Sequence, residues 1–348
     1  MRQSPVRRYI LNNISQHHKD IVKSAVRKFG LSRQAVLRHM KVLILDGKIE
    51  AHGRTRDRYY VLKPFVNELF EFDISLSLHE DIIGRRHIYS HLNDCALNVR
   101  QICEYGFSQI LNNAIVHSMG NRCIIRFLVN EESINLKIRD DGKEGLFSKI
   151  ASYYNLDDPF CSALELTKGK VSTDFQRHTG EGIFFVSRLF DSIIIRSNGY
   201  SLKHNRENEK WELNGSKKPI YGTSVSLHIK KNSTHTIEGV MEKFSSKSDT
   251  SIFDKTSIPV NLVRAESEAL MSRGQAKRLL RGLNEFKEVV FDFANVHTVG
   301  QPFADEIFRV FHSNHRDTKF SIINSTVEID TIIKRVKRNK FTNPKIMA

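Results

Sequence analysis

Phe107-Ser-Gln-Ile-Leu-Asn-Asn-Ala-Ile-Val-His-Ser118 decides how this chain is read. Its spacing predicts a helix on which Gln109, Asn113 and His117 fall at i, i+4 and i+8 and line up as one polar stripe. Phe107, Ile110, Leu111, Ala114 and Ile115 cover the opposite side and face a core. Further along, Ile138-Arg-Asp-Asp-Gly142 reads as an apolar strand ending in two carboxylates and a glycine. Gly180-Glu-Gly182 precedes an apolar helix, and Gly222-Thr-Ser-Val-Ser-Leu227 is a turn entering a strand. Taken singly, Asn113 is a surface amide, Asp140-Asp141-Gly142 is an ordinary turn, and His117 is a satisfied structural histidine.

Composition bounds the rest. At 348 residues, with 40% apolar and 27% charged side chains, the chain is long enough for two or three domains with their own cores. Its net charge is +15, and it is unevenly placed. Residues 1–64 hold 15 basic and 4 acidic side chains, a net of +11, and no acid follows Asp330. Positive charge gathered in one small segment favours a polyanion, foremost nucleic acid, over a merely solvated basic surface. Cys95, Cys103, Cys123 and Cys161 show no paired Cys-x-x-Cys spacing, which argues against zinc or a disulfide framework. The first residues lack the apolar core of a signal peptide, and no apolar run approaches a membrane span. A soluble, cytoplasmic protein with no membrane partner is expected.

The order of helix Asn, strand-end Asp-x-Gly, Gly-x-Gly and Gly-Thr resembles the GHKL nucleotide-binding fold of gyrases, MutL, sensor kinases and anti-sigma kinases. The resemblance implies ATP and Mg²⁺. Asn113 is then the oxygen ligand of the metal, Asp140 accepts the exocyclic amine of adenine, Gly142 lets the backbone approach the base, and Thr223 supports that pairing. It implies phosphate contacts from Thr179, Gly180 and Gly182, with Lys168, Lys170, Arg177 and His178 as candidate cations. Two departures stand out. The first glycine box reads Asp140-Asp-Gly-Lys-Glu-Gly145, one residue longer than the family's Asp-x-Gly-x-Gly, which leaves the place of Gly145 open. Gln109 stands where hydrolysing members carry a glutamate general base, and an amide cannot accept that proton. Hydrolysis is expected to be slow or absent.

Residues 1–64 predict three helices, Arg7 to Ser15, Asp20 to Phe29 and Arg33 to Leu45, and a basic hairpin. Leu-Ser-Arg-Gln-Ala-Val-Leu-Arg-His-Met followed by Asp-Gly-Lys-Ile and Gly-Arg-Thr-Arg resembles a winged helix-turn-helix. That implies double-stranded DNA, with Arg33, Gln34, Arg38 and Lys41 as readers and Arg54, Arg56 and Arg58 as phosphate clamps. Winged helices used for protein contact alone are the alternative.

Residues 256–335 alternate strand and helix, and Val289-Val-Phe-Asp-Phe293 with Gly300-Gln-Pro-Phe-Ala-Asp-Glu-Ile-Phe308 resembles a STAS-like domain. Aligning Asp292 with the strand-end Asp of anti-anti-sigma factors puts Gly300-Gln301 at the phosphoacceptor pair, so self-phosphorylation is not expected. The whole is an expected α+β multidomain chain. A winged helix (1–64), a linker with lead-in helices (65–104) and a GHKL sandwich of mixed sheet with helices on one face (105–232) come first. A linker (233–255) and a STAS-like α/β domain with a basic tail (256–348) follow. A homodimer and a protein partner docking on the STAS-like domain follow from family analogy. An ATP-controlled DNA-binding regulator leads. An ATPase or protein kinase acting on a separate partner, and an ATP-dependent stress or defence effector, are the alternatives.

Overall fold

The computed structural model describes residues 4–75, 77–172, 179–216, 220–246, 249–263 and 269–338. Three helices open the chain: α1 (Pro5–Asn13), α2 (Ile21–Phe29) and α3 (Arg33–Leu45). Gly30, at φ 63°, closes α2 in the left-handed conformation, and the Ser32 hydroxyl caps α3 by accepting from the Ala35 amide at 3.2 Å. Val36, Met40 and Leu43 of α3 close over Ile10, Leu11 and Ile21 in a small core of their own. The antiparallel hairpin β1 (Ile49–His52) and β2 (Tyr59–Leu62) completes this unit.

A seven-stranded sheet dominates the rest. Its strands are β3 (Val66–Asp73), β4 (Arg122–Val129), β5 (Ser133–Asp140), β6 (Ser192–Ser197), β7 (Tyr200–Asn205), β8 (Lys210–Gly215) and β9 (Thr223–Lys230), in the order β3-β4-β5-β9-β6-β7-β8. Every pairing in it is antiparallel, so the expected mixed sheet is corrected. β3 lies where a linker was expected. It pairs with β4 along its whole length and forms one edge of the sheet.

The helix α4 (Leu97–His117) crosses one face of the sheet, burying Ile102, Phe107, Ile110, Leu111 and Ala114. Gly106 on this helix permits close approach to Phe190, whose ring a Cβ would meet. Beside α4 lie α5 (Leu146–Tyr153), α6 (Pro159–Lys168) and α7 (Gly182–Leu189). The polar stretch expected as a linker holds α8 (Ile237–Lys243), which packs on α7 through Phe184 and Phe244, ring centroids 4.9 Å apart.

The C-terminal domain is built on the parallel strands β10 (Lys255–Pro259), β11 (Glu288–Asp292) and β12 (Lys319–Ile323). Around them sit α9 (Arg273–Leu280), α10 (Gln301–Asp305) with its helical continuation Glu306–Phe311, and α11 (Val327–Arg338). Ser272 and Gln275 form a capping box that starts α9. This domain shares one continuous apolar core with the large sheet, bridged by Phe184, Phe253 and Phe286. No helix among the described residues is long and apolar enough to cross a membrane.

Candidate functional site

A pocket opens between α4 and the ends of β5 and β9, and the polar stripe forms one wall. Gln109, Asn113 and His117 all line it. The reason is local: a period of 3.6 residues keeps i, i+4 and i+8 on one face while Phe107, Ile110 and Leu111 anchor the other. Opposite the stripe, Ile138, Leu146, Ile150 and Val225 make an apolar slot that ends at Asp140.

Asp140 is 7% exposed, and its contacts are specific. Oδ1 accepts the amides of Gly142 at 3.0 Å and Thr223 at 3.1 Å, while Oδ2 takes no hydrogen bond among the described residues and is left for a donor in the pocket. Burial raises its pKa. The Gly142 and Thr223 amides and the charge of Lys149 pull the other way. Thr223 is fixed in turn, its hydroxyl accepting from the Leu146 amide at 2.9 Å. Gly222 holds φ 73° directly over Asp140, where a Cβ would collide with that residue's carbonyl oxygen. Gly142 packs under the Ser118 carbonyl with the same intolerance of a side chain.

Thr179, Gly180 and Gly182 border the pocket on the side where α7 begins. The side-chain oxygen of Gln109 faces Gly182 closely enough that a Cβ at that glycine would overlap it. Gln109 is thus turned toward the glycine turn at the start of α7.

Three sequence assignments change. Lys168 does not reach the pocket. It is 2% exposed, pairs with Glu165 at 2.8 Å, and donates to the carbonyls of Arg278 (3.1 Å) and Arg281 (3.0 Å) in the C-terminal domain. Burial lowers its pKa, and Glu165 opposes that shift. Lys170 likewise turns outward, donating to the Glu285 carbonyl at 3.1 Å with its ammonium 4.7 Å from the Phe286 ring centre. Both lysines therefore bind the loop after α6 to the C-terminal domain, and Thr256 adds a hydroxyl to the Lys168 carbonyl at 2.6 Å. Gly145 does not line the pocket either. It is wedged against Ser197, Asn198 and Gly222 at the start of α5. Arg177 and His178 lie outside the described residues.

Sequence reading missed Lys149 and Glu144, which also line the pocket. Lys149 donates to the His117 carbonyl, and burial lowers its pKa against the charges of Glu144 and Asp140. A lysine in the first turn of the helix that follows Asp-Asp-Gly was the available signal. No group of three or more His, Cys, Asp or Glu side chains placed to hold a metal occurs among the described residues. Asn113 places its amide on the wall of the pocket between Gln109 and His117.

In the N-terminal unit, Arg33, Gln34, Arg38 and Lys41 lie exposed on α3, and Arg54, Arg56 and Arg58 are exposed between β1 and β2. Arg58 stacks over Tyr60 at 5.4 Å. The unit is tied to the large sheet by Lys48, whose ammonium meets Glu131 at 2.7 Å.

Fold and site together define an α+β protein with a buried-carboxylate pocket on an antiparallel sheet and a small parallel α/β unit after it. Residues 275–330 match the family described as STAS-like domain of unknown function (DUF4325), so the C-terminal domain is STAS-like. No curated protein matches the chain.

Proposed function

We propose that this chain is an ATP-binding, DNA-binding regulator in which nucleotide occupancy sets the position of the residues just after α6, Lys170 to Ser172, and, through them, the STAS-like domain. One observation carries the reading. Asp140 offers a free carboxylate oxygen at the end of an apolar slot, held by two backbone amides, across from the Gln109–Asn113–His117 stripe. That arrangement suits a flat base bearing an exocyclic amine, with its phosphates running toward Gly180 and Gly182.

In this reading Asp140 accepts the adenine amine and Thr223 keeps the carboxylate in place. Asn113 presents its amide oxygen to Mg²⁺, which neutralises phosphate charge. Gln109 orients water without taking its proton, so bound ATP persists. Val171 and Ser172 line the pocket while Lys168, at the end of α6, and Lys170 bond the C-terminal domain, so one short segment touches both. A segment that shifts with the γ-phosphate moves Lys170, whose contact with the Glu285 carbonyl lies at the surface, while Lys168 stays anchored in the interior. Exposed cations on α3 and the hairpin supply the DNA contact. A gel shift with a non-hydrolysable ATP analogue, repeated with Asp140→Asn, tests this. DNA affinity or oligomer size must change with nucleotide in the unaltered chain and stay constant in the variant.

A further inference from the structure

Among the described residues the seven-stranded sheet is covered by helices on one face, and the other face is positively charged at its centre. Strand alternation puts Arg126 of β4, Lys137 and Arg139 of β5, and Arg196 of β6 on that open side. Arg126 and Lys137 are direct cross-strand partners. Arg139 and Arg196 flank Ser224 in a single row across β5, β9 and β6, roughly 10 Å apart at ordinary strand spacing. Arg126, Lys137 and Arg196 are exposed and Arg139 is half-buried. None of the four has a carboxylate within ion-pairing distance among the described residues, although the rims of the same face do: Arg122 pairs with Glu71 at 2.9 Å and Lys210 with Glu212 at 2.7 Å. Like charges set opposite one another on a sheet work against folding. Lys137 registers this, its pKa lowered by burial and then by Arg196, Arg139 and Arg126. The buried hydroxyl of Ser224, between two of the arginines, finds no hydrogen-bond partner among the described residues.

We propose that this open sheet face is a second nucleic-acid surface, which grips the phosphate backbone of duplex DNA independently of α3 and the hairpin. Phosphate oxygens are recognised by arginine and lysine together with serine and asparagine groups. Here the half-buried Ser226 stands directly opposite Lys137 on the same face and adds a hydroxyl beside the cations. A second copy of the chain does not fit, because pairing the face with itself sets its positive centres against each other. A lipid surface fits less well. The apolar side chains between the cations, Ile124 and Ile194, are half-buried, and the one ring on the central strand, the half-buried His228, is held by Asn135 at 2.9 Å rather than projecting outward. The surface recognises charge and not sequence, so its contribution is salt-dependent and common to all duplexes.

The test uses the full chain and a short random-sequence duplex, titrated at several salt concentrations from about 50 to 200 mM. The variant Arg126→Ser/Lys137→Ser/Arg139→Ser/Arg196→Ser is compared with Arg54→Ala/Arg56→Ala/Arg58→Ala. The sheet variant is expected to bind at least tenfold more weakly, with the slope of log affinity against log salt shallower by roughly 0.9 for each phosphate no longer neutralised. Its melting temperature should stay the same or rise, since like-charge crowding is relieved. An unchanged slope and affinity in the sheet variant overturns the inference, and if the hairpin variant alone fails, the winged-helix reading stands without it. Weakened binding in the sheet variant alone upholds the inference and overturns the hairpin's role. Unchanged duplex binding, with loss of binding only to phosphatidylserine vesicles, also overturns it.

Discussion

Replacing Lys168 with methionine separates two roles that a lysine beside a nucleotide lid could have. Its ammonium holds Glu165 at 2.8 Å and two carbonyls of the C-terminal domain at 3.0 and 3.1 Å, all in the interior. Methionine keeps most of the side-chain volume but strands a carboxylate that is only 6% exposed. Breaking a buried pair from one side costs about 3–5 kcal/mol, whereas replacing both partners with apolar groups is close to neutral. Lys168→Met should therefore lower the unfolding free energy by about 3–5 kcal/mol, and Lys168→Met/Glu165→Leu should recover most of that loss. Urea denaturation of the two singles and the double gives the coupling. ATP affinity of Lys168→Met, measured below its unfolding transition, should stay within about twofold of the parent, a difference under 0.5 kcal/mol. Singles that simply add, or a tenfold fall in ATP affinity with stability intact, would return this lysine to the phosphates and refute the reasoning.

Other consequences are equally direct. Gln109→Glu places a proton acceptor beside Gly182 and should raise ATP turnover by about 10²-fold or more, read as phosphate release; no gain would exclude this position as the base. Arg188 is buried, its pKa lowered to about 9 by desolvation, and it donates to the Phe184 and Thr167 carbonyls at 3.1 Å. Arg188→Met should cost about 1–3 kcal/mol in urea unfolding by leaving the buried Thr167 carbonyl unpaired, while the Ser187 hydroxyl still donates to Phe184 at 2.6 Å. Burial lowers the pKa of His228 and of His235 below 6.5, so the unfolded chain takes protons that the folded chain resists. Stability is then full above about pH 6.5 and falls as pH drops toward the folded values; His228→Gln should flatten that slope in denaturation midpoints.

Much of the site was legible because its signals are local. A stripe at i, i+4 and i+8 survives folding unchanged, and Asp140 next to Gly142 and Thr223 after Gly222 are carried by short-range backbone geometry. What misled was long-range. Lys168 and Lys170 sit one turn from a glycine-rich loop, yet which way they face is decided by a domain that begins about a hundred residues later, through Arg278, Arg281 and Glu285. β3 escaped notice because an edge strand buries little: of Asn67, Glu68, Leu69 and Glu71, all are exposed, and alternation with so few buried positions is faint. Strand direction failed for a related reason. The β5–β9–β6 pairings join segments far apart in sequence, and a period of two does not say which way a strand runs. The basic sheet face was invisible for the same cause, since Arg126, Lys137, Arg139 and Arg196 become neighbours only through those pairings.

The central claim is that Asp140 holds an adenine amine, and calorimetric titration of ATP with Mg²⁺ into the chain and into Asp140→Asn tests it most directly. Asparagine can still accept from Gly142 and Thr223, but its amide then turns a donor toward the base amine, where the carboxylate offered an acceptor. A hydrogen bond to a charged group contributes about 1.5–3 kcal/mol, so the variant should bind ATP roughly 10- to 150-fold more weakly while keeping its fold by circular dichroism. Equal affinity in the two proteins, or no ATP binding by the unaltered chain, would contradict the account.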